Sequence, residues 1–215
     1  MVKEAASWFL GGVFLNYNSS YLERALEQML DEADSPEVTR FLRAVDVRIG
    51  GFRVEKAPEG RGQRVFVKHE VDGKGYELRL SEESAGTQKL MGLAAFLLAA
   101  LERGGTVVVD ELDAKLHPKL LRYVILLFKD PEVNKHGAQL IFSSQDVSTM
   151  RNDVFRRDEI WFAARGEGEA SQLWSLADIH EANGNLVSKN AAFDRQYLSG
   201  RYGADPYLTR IEEWD

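Results

Sequence analysis

An α/β fold with a parallel sheet flanked by helices is predicted by three features of this 215-residue chain. Two short, continuous apolar runs, TVVVD beginning at Thr106 and AQLIFSS beginning at Ala138, alternate with helical patterns at 85–102 and 118–128. Such runs are the mark of strands buried on both faces, and their alternation with helices points to parallel pairing. Ahead of them, residues 46–80 read as a small antiparallel meander, which sets off an α+β N-terminal appendage. The expected division is therefore an appendage at 1–80 and the α/β part at 81–215.

The elements rest on local signals. Residues 20–33 form an amphipathic pattern with Leu22, Ala25, Leu26, Met29 and Leu30 on one stripe and a capping box of Ser20 and Glu23. A second short helix is capped by Ser35, carries Pro36 in its first turn and turns Val38, Phe41, Leu42 and Val45 inward. The strands VDVRIGGFRVEK, RVFVKHEV and GYELRL come next, with Asp72-Gly73 as the hairpin turn between the last two. After the long helix, TVVVD, the second helix and AQLIFSS, two further strands are expected at EIWFAAR and SQLWSL. The apolar stretch at 5–15 is too short to span a bilayer and lacks a small-residue cleavage site, so it is expected to pack against the protein.

Composition narrows the classes of function. With no cysteine, the chain has no disulfide framework, thiolate metal site or cysteine nucleophile, and a cytoplasmic location is expected. A net charge of −7 gives no indication of nucleic-acid binding through bulk electrostatics, although a local basic groove stays open, and no membrane partner is expected.

Chemistry is concentrated at two places. The run TVVVDE ends a strand in two adjacent carboxylates, Asp110 and Glu111, at the sheet edge where α/β proteins bind ligands. Taken alone, the pair also suits a plain strand end and turn. The segment ESAGTQK at 83–89 opens the long helix, where small residues and free N–H groups favour a phosphate; alone it is also an ordinary capped helix start. Asp113 comes after them as a turn residue, His117 precedes the first-turn Pro118 of the next helix, and LIFSSQD ends the later strand with Gln145. In RQYLSGRYGADPYL, Tyr197, Tyr202 and Tyr207 supply anchors that dock a tail.

These motifs together resemble ABC-type AAA ATPases of the abortive-infection and phage-resistance class, a group that includes overcoming-lysogenisation and RecF/SMC-like proteins. The likeness covers the C-terminal half of such a domain, from about 81 to 208, and 1–80 only loosely, as the inserted region the family carries. TVVVDE is similar to a Walker B motif, which implies Asp110 as the Mg²⁺ ligand and Glu111 as the base that orients and deprotonates the attacking water. ESAGTQK is similar to the signature motif, with Ser84 and Gly86 matching and Ala85 in place of its first glycine. The resemblance implies that Ser84, Ala85, Gly86, Thr87, Gln88 and Lys89 meet ATP bound to an opposite protomer. Leu112-Asp113-Ala114 is similar to the D-loop, implying that Asp113 crosses the dimer interface and touches the nucleotide site. Gln145 stands where the family has its switch histidine; glutamine can donate a hydrogen bond but cannot become cationic, so slow turnover is expected. LHPKLL and the tyrosine-rich tail are further family marks.

No segment has the Gly-x-x-x-x-Gly-Lys-Ser/Thr pattern of a Walker A loop, and Gly73-Lys74-Gly75 belongs to a hairpin turn. The chain is accordingly expected to be a fragment, a split subunit or a remnant. One expectation is an ATP- and Mg²⁺-dependent switch, completed by self-association or a Walker A-bearing partner and controlling a defence effector such as a nuclease. The other is a non-catalytic interaction module that pairs with a protein partner. A DNA-repair ATPase of RecF or SMC type is a third; the lack of a long heptad arm counts against SMC itself. Half a domain would also leave TVVVD and AQLIF with unpaired edges and apolar surface.

Overall fold

The computed structural model describes residues 13–16, 36–45, 49–56, 63–165, 170–181 and 183–204, with the backbone alone at 13–16, 56 and 63. The expected helix at 20–33, the cap Ser35 and the anchor Tyr207 lie outside these residues. The chain forms two compact units, 1–145 and 146–215. This division differs from the boundary at residue 80 that the sequence suggests. Residues 13–16 pair with β5 (Thr106–Val109), so chain from before residue 80 shares a sheet with the α/β part.

In the first unit, β1 (Val13–Asn16), β5 and β6 (Gln139–Phe142) form a parallel sheet in the order β1-β5-β6. The register is Val13 to Thr106 on one side of β5 and Thr106 to Gln139 on the other. Flanked on both sides, β5 is central rather than an edge, and Val107 and Val109 are buried. Among the described residues β6 pairs only with β5, and Ile141 on it is 55% exposed.

A second, antiparallel sheet joins β2 (Gly51–Lys56), β3 (Gln63–Val71) and β4 (Lys74–Arg79). The β3–β4 turn falls at Asp72-Gly73 as expected, with both residues at positive φ, 51° and 73°, the geometry whose twist suits a hairpin. Alternation sorts the faces. Phe52, Val65 and Val67 are buried, while on the other face Arg53 pairs with Glu55 and Glu77 and sits 4.5 Å over the Phe66 ring. Helix α1 (Pro36–Ala44) buries Val38, Phe41 and Leu42, and Val45 is buried just beyond its end. Arg43 closes the link to the sheet by donating to the carbonyls of Ile49 and Gly50.

Helix α2 (Ala85–Arg103) is apolar nearly all round from Leu90 to Leu101 and is buried accordingly, packing against α1. It ends at Gly104, whose φ of 75° lets its N–H reach the Ala100 carbonyl. Helix α3 (Pro118–Lys129) starts as its sequence indicates: His117 Nδ1 accepts from the Lys119 N–H at 3.2 Å, and Pro118 occupies the first turn. The loop from α3 to β6 is held by Asn134, which bonds the carbonyls of Phe128 and Ala138 and the Ala138 N–H.

The second unit contains the hairpin of β7 (Trp161–Arg165) and β8 (Ser171–Ser175), then α4 (Phe193–Leu198). Its core joins Phe162, Leu176, Val187, Phe193 and Tyr202. Phe162 stacks with Tyr197 at 5.7 Å and meets Tyr202 at 5.3 Å, so both tyrosines act as the expected anchors. The Tyr202 hydroxyl donates to Gln196 Oε1 at 2.7 Å. Burial pushes this phenol up to about 12, with Glu181 and Asp194 adding to the rise against Arg201. A folded value above the unfolded one stabilises the fold at neutral pH, and that contribution fades as pH rises from the ordinary tyrosine range through about 12. Alkaline titration at 295 nm is expected to show a late-ionising phase that Tyr202→Phe removes; a titration curve whose late phase is unchanged in Tyr202→Phe would count against it.

Candidate phosphate and metal site at the end of the parallel sheet

β5 ends at Val109, so Asp110 and Glu111 lie in the turn just beyond it rather than within the strand. Glu111 takes φ of 49°, an unusual value for a residue with a side chain. The geometry of this turn therefore places the two carboxylates.

Bonds from the residue just after β6 hold this turn. Ser143, immediately after β6, donates its hydroxyl to Asp110 Oδ1 at 2.5 Å and accepts the Glu111 N–H at 2.7 Å. The Leu112 N–H reaches the Ser143 carbonyl at 3.0 Å, and Leu112 is fully buried. A hydroxyl suits the place because it donates and accepts at once. Sequence reasoning passes over Ser143, whose run Ser-Ser-Gln-Asp has ordinary turn composition. The parallel register, which sets Val109 beside Phe142, is the signal that aligns the two strand ends.

Onward from Glu111 the chain makes two tight turns, Ala114 N–H to the Glu111 carbonyl and Leu116 N–H to the Asp113 carbonyl. Asp113 Oδ2 accepts the Gln145 N–H at 3.2 Å, while Oδ1 is buried with no partner. Gln145 therefore reaches Asp113 through its backbone, and its side chain is exposed.

The start of α2 abuts the same turn. A Cβ on Gly86 would stand 2.8 Å from the Lys115 carbonyl, so the approach of helix to turn requires glycine there. Ser84 caps the helix, its Oγ accepting the Thr87 N–H at 3.1 Å and lying 2.9 Å from Thr87 Oγ1. Gln88 donates back to the Glu83 carbonyl at 2.7 Å, and Glu83 bonds His69 of β3 at 2.6 Å. Ser84 and Ala85 are exposed at the helix end. Lys89, one turn along, donates to the carbonyls of Glu111 at 2.5 Å and Ala114 at 3.0 Å. Burial pushes its ammonium below the ordinary lysine range, against the pull of Asp113, Glu111 and Asp110.

The structure thus gathers Asp110, Glu111, Asp113, Gln145 and the segment from Ser84 to Lys89 about one turn at the carboxyl end of β5. Among the described residues no cluster of three or more His, Cys, Asp or Glu side chains could enclose a metal. A Mg²⁺ ion bound with phosphates needs no such cage, since it keeps most of its waters and takes one or two carboxylates. Asp110, oriented by Ser143, fits this role. No helix of the described residues is long and apolar enough to cross a membrane.

Comparison with solved structures finds SMC ATPase heads. One, described for ATP-driven dimerization and DNA-stimulated activation of SMC ATPases, is 17% identical, with a TM-score of 0.41, over 73% of this chain and 84% of that one. An SMC head bound to the C-terminal winged-helix domain of ScpA is 18% identical, with a TM-score of 0.44, over 71% of this chain and 42% of that one. A Pyrococcus yayanosii head domain with coiled coil and joint is 17% identical, with a TM-score of 0.41, over 77% and 27%. No curated protein matches. The sequence does match a family over residues 6–151, more than half its length, and the chain belongs to that family, described as "AAA domain, putative AbiEii toxin, Type IV TA system".

Proposed function

We propose that this chain is the part of an ATP-operated switch that supplies the acidic turn and a phosphate-facing helix start, with a glycine-lysine phosphate loop contributed by another stretch of polypeptide. The observation that carries this reading is the Ser143 bridge, which orients Asp110 and pins Glu111 beside the start of α2. In this reading Asp110 holds Mg²⁺, which neutralises charge on the phosphates when bound. Glu111 orients the attacking water and takes its proton. The exposed end at Ser84 and Ala85, with Gly86, Thr87 and Gln88 behind it, faces the phosphates of a nucleotide held by an opposing protomer. Asp113 lies at that junction, and Gln145 donates a hydrogen bond to a phosphate oxygen without adding charge, which favours slow turnover. Membership of a family described as a type IV toxin–antitoxin component supports a role in cytoplasmic antiphage defence, with ATP state controlling an effector such as a nuclease.

MgATP turnover is the test, measured on the purified chain and on the assembly isolated from its own cells. The chain alone is expected to show no Glu111-dependent hydrolysis, and the assembly to lose at least about 100-fold in rate with Glu111→Gln. Glu111-dependent turnover by the chain alone would show that no further phosphate loop is needed. Absence of such turnover in both would leave the second reading, an interaction module, which the uncharged Gln145 and its backbone bond to Asp113 favour.

A further inference from the structure

The amine of Lys89 is spent inside the protein. It is half-buried and donates to two main-chain carbonyls, those of Glu111 and Ala114, on either side of Asp113. An ammonium has three donors, so at most one remains for anything else. Three residues earlier on the same helix, Gly86 meets the Lys115 carbonyl so closely that a Cβ would stand 2.8 Å away. Two separate contacts therefore join the first turns of α2 to a single segment, 111–115, and both use carbonyl oxygens, which leaves the carboxylate of Glu111 available.

The segment so held is one that needs holding. Glu111 and Lys115 both take positive φ, 49° and 65°, conformations that cost energy for residues with side chains and persist when surrounding bonds enforce them. Its own two turn bonds, from Ala114 and Leu116, are local. Its ties to the chain just after β6 run through Ser143 and through Gln145. Lys89 is the tie on the helix side, and it grips the carbonyl of the strained residue itself.

We infer that Lys89 is a positioning residue: it fastens the acidic turn to the start of α2, so that a force on the phosphate-facing helix end is passed to Glu111, and it does not serve as a nucleotide ligand. The tether stands on geometry alone, whereas its use in coupling helix to carboxylate rests on the ATP-switch reading.

Amide hydrogen exchange on the full chain without nucleotide tests it. Lys89→Met removes the donor and keeps the stem; amides of Leu112, Ala114 and Leu116 are expected to exchange about tenfold faster or more, with those of β5 unchanged. Lys89→Arg, which can still donate to carbonyls, is expected to return most of the protection. Exchange in Lys89→Met within about twofold of the parent would overturn the inference, as would loss of MgATP affinity with exchange unchanged, the behaviour of a nucleotide ligand. Were Lys89→Met not to fold, Gly86→Ala reads the same segment from the other anchor. Faster exchange confined to 111–116 supports the coupling, and none there refutes it. If the parent chain and its native assembly bind no ATP yet Lys89→Met loosens the turn, the switch reading fails and the tether stands.

Discussion

Leu112→Ala is expected to destabilise the first unit by about 3 kcal/mol, the usual cost of truncating a fully enclosed leucine, and to loosen the acidic turn at the same time. Leu112 has no exposed surface, and its N–H bonds the Ser143 carbonyl. It is the apolar peg between acidic residues, so the cavity opens directly beneath the turn that carries Asp110, Glu111 and Asp113. Denaturant unfolding gives the stability, and in a chain of this size a loss of that order corresponds to roughly 6–12 °C in melting temperature. A loss under about 1 kcal/mol would mean that the site collapses around the smaller residue and that the peg is dispensable.

Gly104→Ala is expected to be of similar severity for a different reason. The left-handed φ of 75° costs about 1 kcal/mol for a residue with a Cβ. The added carbon would also stand 2.4 Å from the His136 carbonyl, a main-chain atom in the loop that Asn134 holds in place. Relieving that collision requires moving the loop that leads into β6, which adds about 1–3 kcal/mol. Because Ser143 sits directly after β6, the strain is directed toward the site. A melting temperature within about 1 °C of the parent would show that the loop yields freely.

Local signals made much of the fold legible. Pro118 after His117, the apolar spacing of 36–45, the Asp72-Gly73 pair and the unbroken valines of 107–109 each depend on neighbours within a few residues, and each element appears where the pattern puts it. The placement of 13–16 beside β5 was not legible. A four-residue strand with three apolar residues carries no register, and parallel pairing across some ninety intervening positions is decided only by what the assembled sheet can bury. The site divides the same way. Asp110, Glu111 and the capped start of α2 stand out because acidic pairs after a strand and small residues before a helix are local patterns. Ser143 and the carbonyl-bound amine of Lys89 carry no such mark.

The sequence by itself determined where α1, α2 and α3 begin, where the hairpin turns, and that two carboxylates come after a buried strand, because these rest on backbone preference and side-chain period. Tertiary structure alone decided which main-chain atoms the site uses. The Ser143 carbonyl that takes the Leu112 N–H, the Lys115 carbonyl against Gly86, and the carbonyls that hold Lys89 come together through packing of β6 and α2 on β5. Carbonyl groups are the same at every position, so no pattern of side chains can announce which of them will be brought within bonding distance.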